Sequence, residues 1–143
     1  MKSGPIVLLE DDPEDHDLFL AALNELGVHN PLIWFKTCEE AYRYLLTTED
    51  QPFIIFSDIN LPVQSGLDFK LSVDQDEKLR RKSIPFVFLS TNASQEEVNE
   101  AYTRMTVQGF FKKPSDYTRL KEELAVILAY WKQCRHPNID KFD

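Results

Sequence analysis

A doubly wound parallel α/β sheet, five strands alternating with five helices, is the fold this sequence predicts. Three observations carry that expectation. Five short apolar runs rich in Val, Ile and Phe recur along the chain. Each is followed by a segment whose apolar residues recur at helical spacing. The runs do not alternate apolar with polar residues, as expected of strands covered on both faces. Strands separated by helices pair in parallel through right-handed crossovers.

The first strand is Ile6-Val7-Leu8-Leu9. After it Leu18, Phe19, Ala22, Leu23 and Leu26 repeat at i, i+1, i+4, i+5 and i+8, and Gly27 supplies a helix stop. The second strand is Leu32-Ile33-Trp34-Phe35. Thr37-Cys38-Glu39-Glu40 then reads as a capping box, with Ala41 and Leu45 on one helix face. The third strand covers residues 53–56. Leu61-Pro62 and Gly66 mark a tight loop before a helix over about 67–79, whose end is blurred by the polar stretch Val73-Asp74-Gln75-Asp76-Glu77. The fourth strand covers residues 86–89. A second capping box, Ser94-Gln95-Glu96-Glu97, opens a helix carrying Val98, Ala101, Tyr102 and Met105. The fifth strand covers residues 107–111. The last helix, capped by Ser115 or Asp116, presents the stripe Leu120, Leu124, Ile127, Leu128 and Trp131. The tail 136–143 is expected to leave that helix and be loosely ordered.

Composition narrows the function. A chain of 143 residues with 43% hydrophobic content suits one domain, 1–143, with its core over about 4–131. The net charge of −8 and the lack of Lys/Arg-dense stretches argue against nucleic acid. No apolar run approaches the roughly 18 residues that span a bilayer, so no membrane partner is expected. The N-terminus is too short before its first strand for a secretory signal. Cys38 and Cys134 form no CxxC, which suits a reducing, cytoplasmic setting.

The chemistry lies just past the strand ends. Glu10-Asp11-Asp12 follows the first strand, Asp58 the third, Ser90-Thr91 the fourth and Lys113-Pro114 the fifth. In an open parallel sheet the carboxyl ends of the strands converge on one crevice. Carboxylates from two strands and an ammonium from a third make a site for a hard divalent cation and a transferable phosphoryl group.

This arrangement resembles the receiver domain of bacterial two-component response regulators over about residues 4–131. It is similar above all to the stand-alone receivers that work with phytochromes. The resemblance implies the flavodoxin-like strand order 2-1-3-4-5. It also implies that Glu10 and Asp11 hold Mg²⁺, with Asp58 and the Asn60 backbone carbonyl completing the metal set. Asp58 would accept a phosphoryl group from a histidine kinase or a histidine phosphotransfer protein. Ser90 and Lys113 would contact that group, and Ser90 and Phe110 would form the switch. Such a protein is a signalling phosphoacceptor that promotes its own phosphorylation and dephosphorylation, rather than an enzyme acting on another substrate. Its output would be binding to a downstream protein, onward relay of phosphate, or a change of oligomeric state, with a homodimer through the helices that carry Tyr102, Tyr130 and Trp131. The chain departs from the family pattern at Glu10, where Asp is common, at Thr91, where a small residue is common, and at Phe110, which lacks a tyrosine hydroxyl. Asp12 leaves the register of the acidic pair open by one residue.

Three alternatives compete. An aspartyl-phosphate phosphatase needs a second acid two residues after the nucleophile, where this chain has Asn60. A nucleotide-binding relative would carry GxxxxGK[ST] or GxGxxG, and neither occurs. An unphosphorylated receiver-like interaction module would not need Asp11, Asp58, Ser90 and Lys113 together.

Overall fold

The five apolar runs form one all-parallel sheet in the order β2-β1-β3-β4-β5. The computed structural model describes residues 4–138. The strands are β1 Ile6–Leu9, β2 Leu32–Phe35, β3 Ile54–Ser57, β4 Phe86–Ser90 and β5 Gly109–Lys112. The helices are α1 Pro13–Glu25, α2 Cys38–Thr47, α3 Gly66–Gln75, α4 Glu77–Lys82, α5 Gln95–Arg104 and α6 Tyr117–Gln133. The central strands β1, β3 and β4 are buried throughout, as expected. β2 and β5 are only half-buried, because the strand order leaves them at the sheet edges.

Alternate strand residues feed two cores. Val7, Leu9, Ile55, Phe86 and Phe88 pack with residues of α2, α3, α4 and α5. Ile6, Leu8, Ile54, Phe56, Val87 and Leu89 pack with α1 and α6. The α6 stripe Leu120, Leu124, Ile127 and Leu128 is buried there, with Trp131 packed half-buried at its end. Tyr102, placed by spacing on the same helix face as Ala101, is instead exposed.

The helix ends follow local chemistry. Asp12 caps α1, its Oδ1 accepting from the Glu14 amide at 2.9 Å, and Pro13 follows in the first turn. Gly27 stops α1 at φ 70°, in the left-handed region. Thr37 caps α2, Ser94 forms the full capping box of α5, and Asp116 rather than Ser115 caps α6.

Two further expectations are corrected. The helix over about 67–79 is two helices. Asp76 ends α3 in extended backbone and caps α4, accepting from the Leu79 amide at 3.1 Å and from the Tyr42 hydroxyl at 3.0 Å. The turn lets Leu79 bury its side chain, which a continuous helix of polar residues would not secure. The start of the tail is docked rather than loose. His136 is buried, stacks on Phe53, and donates from Nε2 to the Phe53 carbonyl at 2.5 Å. Asn138 Nδ2 donates to the Arg81 and Lys82 carbonyls, which end α4. Residues 139–143 lie outside the described residues.

Cys38 has a testable consequence. Its thiol is buried at the start of α2 and donates to the Gln64 carbonyl at 3.4 Å. Burial, with the Asp68 charge second, pushes the thiol up to about 11. An acid whose folded value lies above its unfolded value stabilises the fold below the unfolded value and loses that contribution as pH rises through the folded one. Between pH 9 and 11 the thiol therefore withdraws about 2 kcal/mol. Cys38→Ser does not titrate there, so its deficit against wild type narrows by about 2 kcal/mol from pH 8 to pH 11 in urea unfolding. An unchanged gap would show the thiol is not held up.

Candidate functional site

The backbone ladder of the sheet runs one residue beyond the strands and delivers the polar groups to one edge. The Glu10 amide donates to Phe35 O at 3.0 Å, the Asp58 amide to Leu9 O at 3.1 Å, and the Lys113 amide to Ser90 O at 3.0 Å. Residues directly after β1, β3 and β5 thus share the carboxyl end of the sheet.

Their side chains meet at the Lys113 ammonium. Lys113 Nζ donates to Glu10 Oε1 at 2.5 Å, to Asp15 Oδ2 at 3.1 Å and to Asp58 Oδ2 at 3.2 Å. Glu10 is buried, and Asp58 and Lys113 nearly so. Burial raises the Glu10 carboxyl above its ordinary value despite the opposing hydrogen bond and charge of Lys113. Burial works against the Lys113 ammonium, but Glu10, then Asp58 and Asp15, together hold it above the ordinary lysine value. The directions are consistent, since Glu10 faces one cation and a second anion while Lys113 faces three anions.

The loop after Asp58 is tightly built. Asp58 Oδ1 accepts from the Asn60 amide at 3.2 Å, and Ser57 Oγ donates to Asp58 O at 2.8 Å. A Cβ on Gly66 would stand 2.1 Å from Asp58 O, so only glycine lets α3 begin this close to the strand end. Val63 stands in the same loop with φ 69° and a fully exposed side chain, a strained conformation for a β-branched residue.

Ser90, at the end of β4, is buried, and its hydroxyl lacks a hydrogen-bond partner among the described residues. Buried hydroxyls without partners are rare and costly. Phe110 is half-buried in β5, its ring 5.3 Å from that of Phe88.

Of the residues expected in the site, Glu10, Asp58 and Lys113 are brought into contact. Ser90 lies on the same edge, one backbone hydrogen bond from Lys113. Asn60 is exposed beside Asp58. Asp11 is exposed and makes no hydrogen bond or ion pair among the described residues. Asp12 is engaged in the cap of α1. Asp15 was not foreseen. Its signal was the one-turn spacing from Asp11 and Asp12, which places a further acid over the crevice.

The oxygen donors here suit a hard divalent cation. Among the described residues no three carboxylates stand in place to ligate one ion; Glu10, Asp15 and Asp58 converge on an ammonium instead. A cation taking over part of that charge is compatible with the donor set.

Known proteins point the same way. The family model of the response regulator receiver domain matches residues 6–125. The chain is 28% identical over 130 residues to a probable methanogenesis regulatory protein, FilR2, of Methanothrix harundinacea, covering 88% of this chain and 82% of that protein. Among solved structures, the phosphorylated cyanobacterial phytochrome response regulator RcpA matches at TM-score 0.80 and 26% identity, over 90% of this chain and 94% of that one. The Mn²⁺-bound form of response regulator Rcp1 matches at TM-score 0.79 and 25% identity, over 92% and 97%. No helix among the described residues is long and apolar enough to cross a membrane.

Proposed function

Since the chain belongs to the response regulator receiver family of two-component systems, we propose that it is a receiver domain in which Asp58 accepts a phosphoryl group. The observation that carries this reading is the Lys113 cluster, which joins Asp58 to Glu10 across the sheet. The donor would be a phosphohistidine on a histidine kinase or phosphotransfer protein. An Asp58 carboxylate oxygen attacks phosphorus, the phosphorus–nitrogen bond breaks, and the electron pair leaves on the imidazole. Lys113 faces the charge spread over the transferring oxygens. Water later cleaves the acyl phosphate at the same site.

Mg²⁺ would be held by Glu10, Asp11, Asp58 and the Asn60 carbonyl, and when bound it supplies charge neutralisation for the transferring phosphoryl group. Support comes from the oxygen-only donor set and from the Mn²⁺-bound relative.

Ser90 offers the buried hydroxyl that a phosphoryl oxygen would satisfy. Its movement would open space beneath α5 that Phe110 fills, because an empty pocket costs packing energy. The partner would read the altered α5 and α6 surface.

The test uses a small phosphodonor with Mg²⁺ and intact mass. Wild type should gain one base-labile phosphoryl group, Asp58→Asn none. Ser90→Ala should still be labelled but lose the NMR shifts around Phe110 on beryllofluoride addition. Labelling of Asp58→Asn at a site the wild type also uses would sink the assignment, and undiminished shifts in Ser90→Ala the switch.

A homodimer through α5 and α6 is part of the same reading. Tyr102, Val126 and Tyr130 are exposed on these helices, and aromatics favour interfaces. Sedimentation should show a dimer in the beryllofluoride form. A monomer at high concentration, with and without beryllofluoride, removes the dimer.

A further inference from the structure

Resting on the phosphoacceptor reading, we propose that Asp15 is a positioning residue that competes with the phosphoryl group for Lys113 and so sets how tightly the site accepts it. An ammonium has three N–H donors. In Lys113 all three are matched by carboxylates, from Glu10, Asp15 and Asp58. A phosphoryl group on Asp58 needs a share of the same donors, so one carboxylate must yield.

Burial decides which. The Glu10 side chain is 5% exposed, and releasing it would strand a charge away from water. Asp58 is the acceptor itself. Asp15 stands on the first turn of α1 and its side chain is 37% exposed, so water can solvate it once Lys113 turns away. Asp15 is therefore the carboxylate that gives way. Until it does, its charge also faces the incoming anion. Competition and repulsion act in the same direction against the phosphoryl group, while the same charge favours a cation.

Neutralising Asp15 therefore has opposite effects on the two ligands, a signature that general damage to the site does not produce. The full chain is titrated with Mg²⁺ alone, and with beryllofluoride at saturating Mg²⁺, for wild type, Asp15→Asn and Asp15→Glu. Asp15→Asn should bind beryllofluoride about 2- to 5-fold tighter, the scale of a partly exposed charge pair. It should bind Mg²⁺ weaker by a similar factor, and both differences should shrink at high salt. Asp15→Glu keeps the charge and should stay near wild type. Asp15→Asn that binds beryllofluoride equally or more weakly, or that matches Asp15→Glu, overturns the proposal alone. Wild type that binds neither probe overturns the phosphoacceptor reading, and this proposal with it.

Discussion

Lys113→Met is expected to lose about 3 kcal/mol of stability without divalent cation, because breaking a buried ion pair leaves its partner charged and alone. Glu10 is the partner that suffers most. It is buried, its other oxygen receives only a long 3.3 Å bond from the Asp12 amide, and Asp58 adds a second negative charge nearby. Asp15 is better solvated and contributes less. Two further measurements separate this account from simple loss of packing. Glu10→Gln in the Lys113→Met background removes the stranded charge and should recover most of the deficit. Millimolar Mg²⁺ should also recover part of it, since binding to the folded form alone adds about 1–3 kcal/mol once the ion exceeds its dissociation constant ten- to a hundredfold. Labelling of Asp58 should fall steeply in Lys113→Met whatever the Mg²⁺ level. Urea unfolding that shows a loss under about 1 kcal/mol, or no rescue by Glu10→Gln, would mean the cluster is not held by mutual charge.

Asp74→Ala is expected to cost about as much, far from the crevice. Lys70 on α3 is 4% exposed. Its Nζ donates to Asp74 Oδ1 at 2.7 Å and to Thr106 Oγ1 at 3.1 Å, and lies 5.1 Å from the centre of the Phe86 ring. Asp74 also accepts from the Thr106 amide at 2.9 Å, tying α3 to the segment before β5. Without Asp74 the ammonium stays buried and unpaired by charge, and the loss is about 3 kcal/mol. Lys70→Met together with Asp74→Ala should recover to within about 1 kcal/mol of wild type, because an apolar replacement removes the buried charge. The deficit of Asp74→Ala should depend on pH. Burial holds Lys70 below the ordinary lysine value. A base lowered on folding sheds its proton before the unfolded chain does, so stability is regained as pH rises through the lowered value toward 10.5. Losing Asp74 lowers Lys70 further, so the gap to wild type should shrink between neutral pH and pH 10. A gap that is constant in pH, or a double variant no better than Asp74→Ala, would show that the pair is not the source.

Much of the site was legible in the chain because it sits at strand ends. Glu10, Asp58, Ser90 and Lys113 each stand within two residues of the end of an apolar run, and a parallel sheet carries all such positions to one edge. Asp11 and Asp12 were harder, since three consecutive acids offer no local reason to prefer one register. In the structure Asp12 caps α1 while Asp11 is exposed. Asp15 escaped notice because one acid in a helix first turn is favoured by the dipole alone. Among the described residues only Lys113, from the end of β5, gives it a partner.

The sequence by itself determined the apolar runs that become strands, several of the helix ends and the alternation of strand with helix, because these depend on neighbours within a few residues. Hydrophobic spacing, Thr37, Ser94 and Gly27 act over one or two helical turns. Tertiary structure alone decided what depends on groups distant along the chain. It broke the helix over about 67–79 at Asp76, where Tyr42 supplies the second contact and burial of Leu79 favours the turn. It docked His136 on Phe53, 83 residues away. It made a buried pair of Lys70 and Asp74, of which only Asp74, within a polar stretch, stands out in the sequence. It also gathered three carboxylates on one ammonium. Charge and burial are properties of the assembled environment, and a residue's own type sets neither of them.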